Sequence, residues 1–551
     1  MDDASGAGTP AASGAKTDVD KLHEMGYAQE LKRGMGAFSN FAVSFTIISI
    51  LSGCLTLFYF AMNVGGPAVM TLGWLFVGFF VLMVALGMAE VASSYPTAGG
   101  LYYWAAKIAD DQGANGARWS WFVGWFNLVG QVAVTAGIDF GLAFFINAFL
   151  NIVWGVPTTP PYTIAIYGIV LFIHGLLNTF GIRLVALLND ISVWWHLVGV
   201  GAIFLVTVVL NQHERTDIGT VFSTFVNNTG SGGENGEWPL FIVAGIPLYV
   251  MLIGLLNAQY TLTGFDASAH MSEETQRAET SAPKGIVWSV IISIIAGFVL
   301  LVSMNVGITP EEVFTSADGT TMVAGYQHAL DAAATLSNAG PPVQIWIDAV
   351  GQTGGLIILF LVIGAQFYCG MSSVTANSRM IYAFARDGAI PGSNFWHRIN
   401  KRTRTPTNSI WLAAGCAFVL GLPYLWSAVA YAAVTSIAVI GLYVAYVSPV
   451  FLRVRAGKKF KPGPWTLGRW GPAIGIVATI WVVFIFILFM LPQFMPITFS
   501  TFNYTPVVFL IVLGGAALWY AVSARKWFKG PRVQGTAEEL AAIEKDLELQ
   551  A

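Results

Sequence analysis

From Gly34 to Ala89 the chain contains no Asp, Glu, Lys or Arg. A run of that length is room for two stretches of the roughly 20 apolar residues that cross a bilayer, and it leaves no polar face for a soluble domain to turn to water. The rest of the chain agrees. Of 551 residues, 55% are hydrophobic and only 10% charged, and the mean hydropathy is +0.65, whereas soluble domains carry about 25% charge. The predicted class is an all-α integral membrane protein whose partner is the lipid bilayer. A net charge of −3 without a basic face gives no reason to expect nucleic acid. Cys54, Cys369 and Cys416 lie in or beside apolar segments at unrelated spacings, as small packing side chains do, so neither a disulfide frame nor a metal or cofactor is expected. No H-E-x-x-H, nucleophile elbow or paired catalytic carboxylates occur, and an enzyme is not expected.

Apolar segments fall near residues 40–63, 67–93, 119–151, 162–182, 184–210, 240–268, 285–308, 344–377, 408–426, 428–451, 472–491 and 505–527, which predicts twelve transmembrane helices. Basic residues should then alternate between rich and empty connections. With the amino terminus inside, the chain's 27 Lys and Arg all fall inside except Arg215, so both ends are expected to be cytoplasmic. Residues 1–36 are polar and rich in Gly, Ala, Ser and Asp, and read as a disordered tail. Residues 37–451 form the expected ten-helix core, 452–530 a loop and the last two spans, and 531–551 a solvated tail or helix. The connection over 309–343 carries acids but no Lys or Arg and is expected outside, with short surface helices.

Two spans five apart are interrupted at matching places. Span 1 carries Ser49, Ser52 and Gly53 at its middle; span 6 carries Thr263, Gly264, Phe265 and Asp266. A matched pair of breaks is the sequence pointer to an inverted repeat of spans 1–5 and 6–10 with a binding site between them. Unwound backbone at membrane depth is tolerated where it lines a cavity, and the helix ends it exposes fit the charges of a small zwitterion.

Five segments carry a resemblance to a known family: E-V-A-S-S-Y-P-T-A-G-G-L-Y-Y-W from Glu90 to Trp104, G-W-F-N-L-V-G-Q from Gly124 to Gln131, N-D-I-S-V-W-W-H from Asn189 to His196, T-G-F-D-A with H-M-S-E-E-T ending at Thr275, and S-R-M-I-Y-A-F-A-R-D-G-A-I-P from Ser378 to Pro391. Together they resemble the amino acid, polyamine and organocation transporter superfamily, and within it the amino acid and choline branch that includes the 4-aminobutyrate (GABA) permeases. The resemblance implies a LeuT-like five-plus-five inverted-repeat core with two further helices, a cavity between broken helices 1 and 6, and alternating access in a cell membrane. It also implies a permease for a small amino acid or amine such as 4-aminobutyrate, coupled to a proton or sodium or working as an exchanger. A choline or polyamine carrier, or a channel or sensor scaffold, is the alternative. Many relatives carry G-x-G in span 1 where this chain has Ser49 and Ser52-Gly53, and some proton-coupled relatives carry Lys where this chain has His196.

Ionisable and polar groups at membrane depth are the functional candidates. Asn127, Gln131, Thr135 and Asp139 recur every four residues along span 3 and are expected to line the cavity with the two breaks, or else to form a ladder of bonds between helices. His196 is a candidate proton carrier or cation mimic. Ser372 and Ser373 are candidate sodium ligands against span 1. Glu90, at the end of span 2, is a candidate gating contact, and Phe265 an aromatic wall for an ammonium.

Overall fold

The computed structural model describes residues 17–180, 182–230, 242–243, 246–309, 313–315, 322–400, 402–427, 429–533 and 535–549. Among them, eleven helical segments are long and apolar enough to cross a membrane, and a shorter apolar segment, Leu248–Thr261, lies where the sixth of twelve spans is expected. It is short because its helix stops at Leu262 and the chain unwinds to Asp266. The spans used below are 1 (Ala37–Thr56), 2 (Gly66–Ser94), 3 (Gly116–Trp154), 4 (Pro160–Phe180), 5 (Leu184–Val209), 6 (Leu248–Thr261), 7 (Ala278–Val306), 9 (Thr407–Leu425), 11 (Gly468–Leu488) and 12 (Thr505–Trp527), with span 10 at Ala430–Ala456. Span 8 is the part of Gly340–Arg386 that follows a sharp turn at Gly351, whose φ of 78° needs a residue without a side chain. Among the described residues, two short antiparallel strand pairs accompany the helices.

The helices of the first half pack as those of the second do. Span 2 packs on 7, 3 on 8 and 4 on 9; the pairs 1–5, 3–4 and 5–8 are matched by 6–10, 8–9 and 10–3. Exchanging each helix with the one five places on therefore preserves the packing. Five is odd, so the second set enters from the opposite face, which is an inverted repeat of ten helices with spans 11 and 12 added at the side. Span 3 has 39 residues, about 58 Å of helix against a hydrocarbon layer of about 30 Å, so it is tilted and protrudes.

The expectation of a disordered tail over 1–36 is corrected for residues 17–36; residues 1–16 lie outside the described residues. Thr17 and Asp20 form a reciprocal cap on a helix at Asp18–Glu24, and Leu22, Tyr27 and Leu31 are buried. The apolar side chains in this stretch anchor it beneath the bundle. Here it meets the last helix, Ala537–Leu549, which docks instead of standing free in solvent: Glu544 accepts from the Gln29 amide at 2.6 Å and faces His23 at 2.8 Å. We call the side carrying residues 17–36 and the helix Ala537–Leu549 the terminal face. On the opposite face, Val313–Thr315 pairs with Met322–Ala324, and short helices follow at Gly325–Asp331 and Ala333–Leu336. Tyr326 from this cover donates to the carbonyl of Met62 at 2.7 Å, just beyond span 1.

Candidate functional site

Span 1 breaks at Ser49, whose φ of 43° and ψ of 63° separate the helix Ala37–Ile48 from Ile50–Thr56. A left-handed non-glycine residue inside a helix is strained and persists only when its surroundings hold it. Two groups do so: the Ser49 hydroxyl lies 2.7 Å from His196 Nε2 in span 5 and bonds the Ser52 hydroxyl. His196 Nδ1 in turn lies 2.7 Å from the carbonyl of Ser192. Nδ1–H therefore donates to that carbonyl, and Nε2 shares a hydrogen bond with the Ser49 hydroxyl, so both ring nitrogens are engaged.

Span 6 breaks over Leu262–Asp266, with Gly264 at φ 91°. Tyr443 and Tyr446 of span 10 hold the freed backbone: Tyr443 donates to the Leu262 carbonyl at 2.5 Å, and the Gly264 amide donates to the Tyr446 hydroxyl at 3.2 Å. The breaks interlock. A Cβ on Gly53 would come within 2.7 Å of Thr261, and one on Gly264 within 2.2 Å of Ile47. Each half-helix thus passes the other where only glycine fits.

Between the breaks lies a small cavity with room for roughly one water molecule. Ser49, Ser52, Gly53, Tyr260 and Thr263 line it, together with Gln366 and Cys369, which sequence reasoning did not place there. All these side chains are buried, so this is a closed form. Gln366 donates from Nε2 to the Ile138 carbonyl at 2.7 Å, while its Oε1 has no hydrogen-bond partner among the described residues. Cys369 Sγ donates to the carbonyl of Ile47, one turn end of the broken helix, at 3.1 Å.

The stripe on span 3 behaves differently from its even spacing. Four residues of helix turn about 400°, so each step winds about 40° round the axis and the last residue lies about 120° from the first. Gln131 donates to Asp266 Oδ2 at 2.7 Å, Asn127 lies 3.4 Å from His270, and Thr135 bonds Ser373 of span 8 at 2.8 Å. These three form a ladder between helices below the cavity. Asp139 has wound out of line and faces His174 of span 4 at 3.0 Å, both without exposure to solvent. Asp266 is satisfied from three sides, by Gln131, by the Tyr446 hydroxyl at 2.6 Å and by His270 at 3.2 Å. Phe265 packs against Tyr446 with ring centroids 4.9 Å apart and planes tilted by 50°, and does not line the cavity. Ser372 bonds Asn189 and the Tyr368 carbonyl, so its hydroxyl is directed to span 5 and its own helix.

Nearer the terminal face the protein is sealed. Glu274 pairs with Arg379 at 3.0 Å and Glu273 with Arg386 at 3.6 Å, and the Arg386 guanidinium lies 4.0 Å over the Tyr27 ring. Asp387, just past span 8, accepts from Tyr102 at 2.7 Å; burial pushes its carboxyl up from the usual range, opposed by Arg386 and Tyr102. Glu90 accepts from Arg453 at 2.5 Å, Thr466 at 3.0 Å and the Leu467 amide at 3.1 Å, joining span 2 to span 10 and to the loop before span 11.

The chain matches the amino acid permease family over residues 35–513. It is 41% identical to amino-acid permease BAT1 of Arabidopsis thaliana, over 93% of this chain and 95% of that protein. It is 40% identical to the amino-acid permease BAT1 homolog of Oryza sativa subsp. japonica, over 95% and 97%. The GABA-specific permease of Saccharomyces cerevisiae is 29% identical over 94% of this chain and 86% of its own length. With its twin broken helices, its closed cavity and these likenesses along nearly its whole length, the chain belongs to the amino acid permease family and is a multi-pass transmembrane amino acid transporter.

Proposed function

We propose that the protein is a secondary active carrier of a small amino acid or amine, with 4-aminobutyrate as the first substrate to test, working by alternating access and coupled to protons. The observation that carries this reading is the pair of interlocked breaks around a buried polar cavity. A zwitterion laid across it would place its carboxylate at the hydroxyls of Ser49 and Ser52, beside the amino end of the second half of span 1. Its ammonium would take the unpartnered Oε1 of Gln366, an acceptor that would otherwise remain buried without a bond. The GABA-specific yeast permease supports the choice of probe. Among the described residues no Asp or Glu lines the cavity, which disfavours a polyamine, whose several charges need several acids.

In this reading the carrier sits in the plasma membrane with the terminal face in the cytoplasm, which places the basic connections inside. Uptake of labelled 4-aminobutyrate into proteoliposomes, under a proton or a sodium gradient imposed separately and with amino acids and choline as competitors, tests it. Saturable, proton-driven accumulation with counterflow is expected. Sodium-driven accumulation would overturn the coupling, competition by choline alone would overturn the substrate class, and flux that neither saturates nor shows counterflow would mean a channel.

A further inference from the structure

We infer that Asp139 and His174 together form the site that carries the coupling proton, an inference resting on the proton-coupled reading above. Three spans converge there. Asp139 comes from span 3 and His174 from span 4, while Gly370 of span 8 leaves the space they occupy: a Cβ on it would lie 1.8 Å from Asp139 Oδ1 and 2.7 Å from His174 Cε1. Asp139 Oδ1 and His174 Nδ1 approach to 3.0 Å. Apart from that approach, which is not aligned as a hydrogen bond, both carboxylate oxygens and both ring nitrogens lack hydrogen-bond partners among the described residues. Buried polar groups are almost always satisfied, so four unspent valences in one place call for a role beyond packing.

The surroundings leave the pair as the centre of charge. The titratable groups directed at it are Tyr167 of span 4, Tyr260 of span 6 and Cys369 of span 8. Spans 9 and 10 present Tyr424 and Tyr431 to the same stretch of span 3, against Phe140 and the Gly137 carbonyl. Every one of these is neutral at pH 7 at its ordinary value. With one proton between them, acid and imidazole are together uncharged, the state that a dry interior favours; removing it leaves a lone negative charge that is costly until water enters. Closure therefore holds the proton and opening releases it. The site is one residue from the cavity wall: Ile138 lines the cavity, as do Tyr260 and Cys369. His196, by contrast, has both ring nitrogens hydrogen-bonded, one to the Ser49 hydroxyl and one to the Ser192 carbonyl.

The test compares Asp139→Asn, Asp139→Glu and His174→Gln with the unaltered protein in proteoliposomes, using 4-aminobutyrate and the common amino acids as probes. Accumulation driven by a proton gradient is read beside proton uptake on substrate addition in weakly buffered solution. Asp139→Asn and His174→Gln are expected to lower gradient-driven accumulation at least ~10-fold and to abolish the pH dependence of substrate affinity, while Asp139→Glu, which keeps an acid, retains that dependence. If the unaltered protein takes up substrate without protons, the coupling reading fails and this inference with it. If the unaltered protein is proton-driven and both variants remain so, the coupling stands and the pair is not its site. Variants that no longer insert or bind any probe would make the pair a clamp between spans 3 and 4 and overturn the inference.

Discussion

Tyr446 of span 10 donates its hydroxyl to Asp266 at 2.6 Å and receives the Gly264 amide at 3.2 Å, so one phenol braces both sides of the break in span 6. Because Asp266 is also held by Gln131 and His270, the break is fixed to spans 3 and 10 in the closed form. Tyr446→Phe removes a hydrogen bond to a buried acid, a loss of about 1.5–3 kcal/mol where that acid is ionised. The expected result is a weaker closed form: a cysteine introduced beside Asp266 is labelled by a membrane-impermeant thiol reagent faster than in the parent, while insertion is kept. Equal labelling rates would remove Tyr446 from the closure.

Gly264→Ala should abolish transport. The left-handed backbone costs a side chain about 1–2 kcal/mol, and the new Cβ would be 2.2 Å from Ile47. Relief is possible only by parting spans 1 and 6, which dismantles the cavity. Initial uptake by the variant at parental surface expression is the measurement, and near-parental rates would show that the two spans do not need this approach.

His196→Ala takes the partner from the strained Ser49 hydroxyl and leaves a hole beside it, at a cost of about 1–3 kcal/mol. Since Ser49 lines the cavity, the loss is expected in substrate affinity, roughly 10-fold or more, with little change in the dependence of transport on external pH. An unchanged affinity, measured by competition in equilibrium binding, would separate His196 from the site.

Glu90→Ala leaves Arg453 half of a buried pair. Breaking such a pair by removing one partner costs about 3–5 kcal/mol, and here it also frees Thr466 and the Leu467 amide. Detergent-solubilised protein should unfold at markedly lower temperature, whereas the affinity of whatever still folds should match the parent because Glu90 is remote from the cavity wall. A parental unfolding temperature would contradict this anchoring role.

The breaks were legible because Ser49, Ser52-Gly53 and Thr263-Gly264 interrupt apolar helices with residues that loosen backbone. Cavity walls made of neutral side chains were harder. Tyr260 and Cys369 look like ordinary membrane packing, although Gln366 gave a usable signal as a lone amide within the apolar run from Leu356 to Met371. Asp139 was aligned with Asn127 by counting in fours, yet the helix turns about 40° further at each such step, so a residue expected to line the cavity or join the ladder came to face span 4. His174 had no motif at all; only the fold sets it against Asp139. The segment 17–36 was misread from its polar composition, although Thr17 with Asp20 is a cap signature and Leu22, Tyr27 and Leu31 are apolar residues that a free tail does not need.

The contact between His23 and Glu544 joins residues 521 positions apart in the chain. Glu544 is synthesised long after both broken helices. A nascent carrier therefore has its substrate-facing breaks made well before this part of its underside can close.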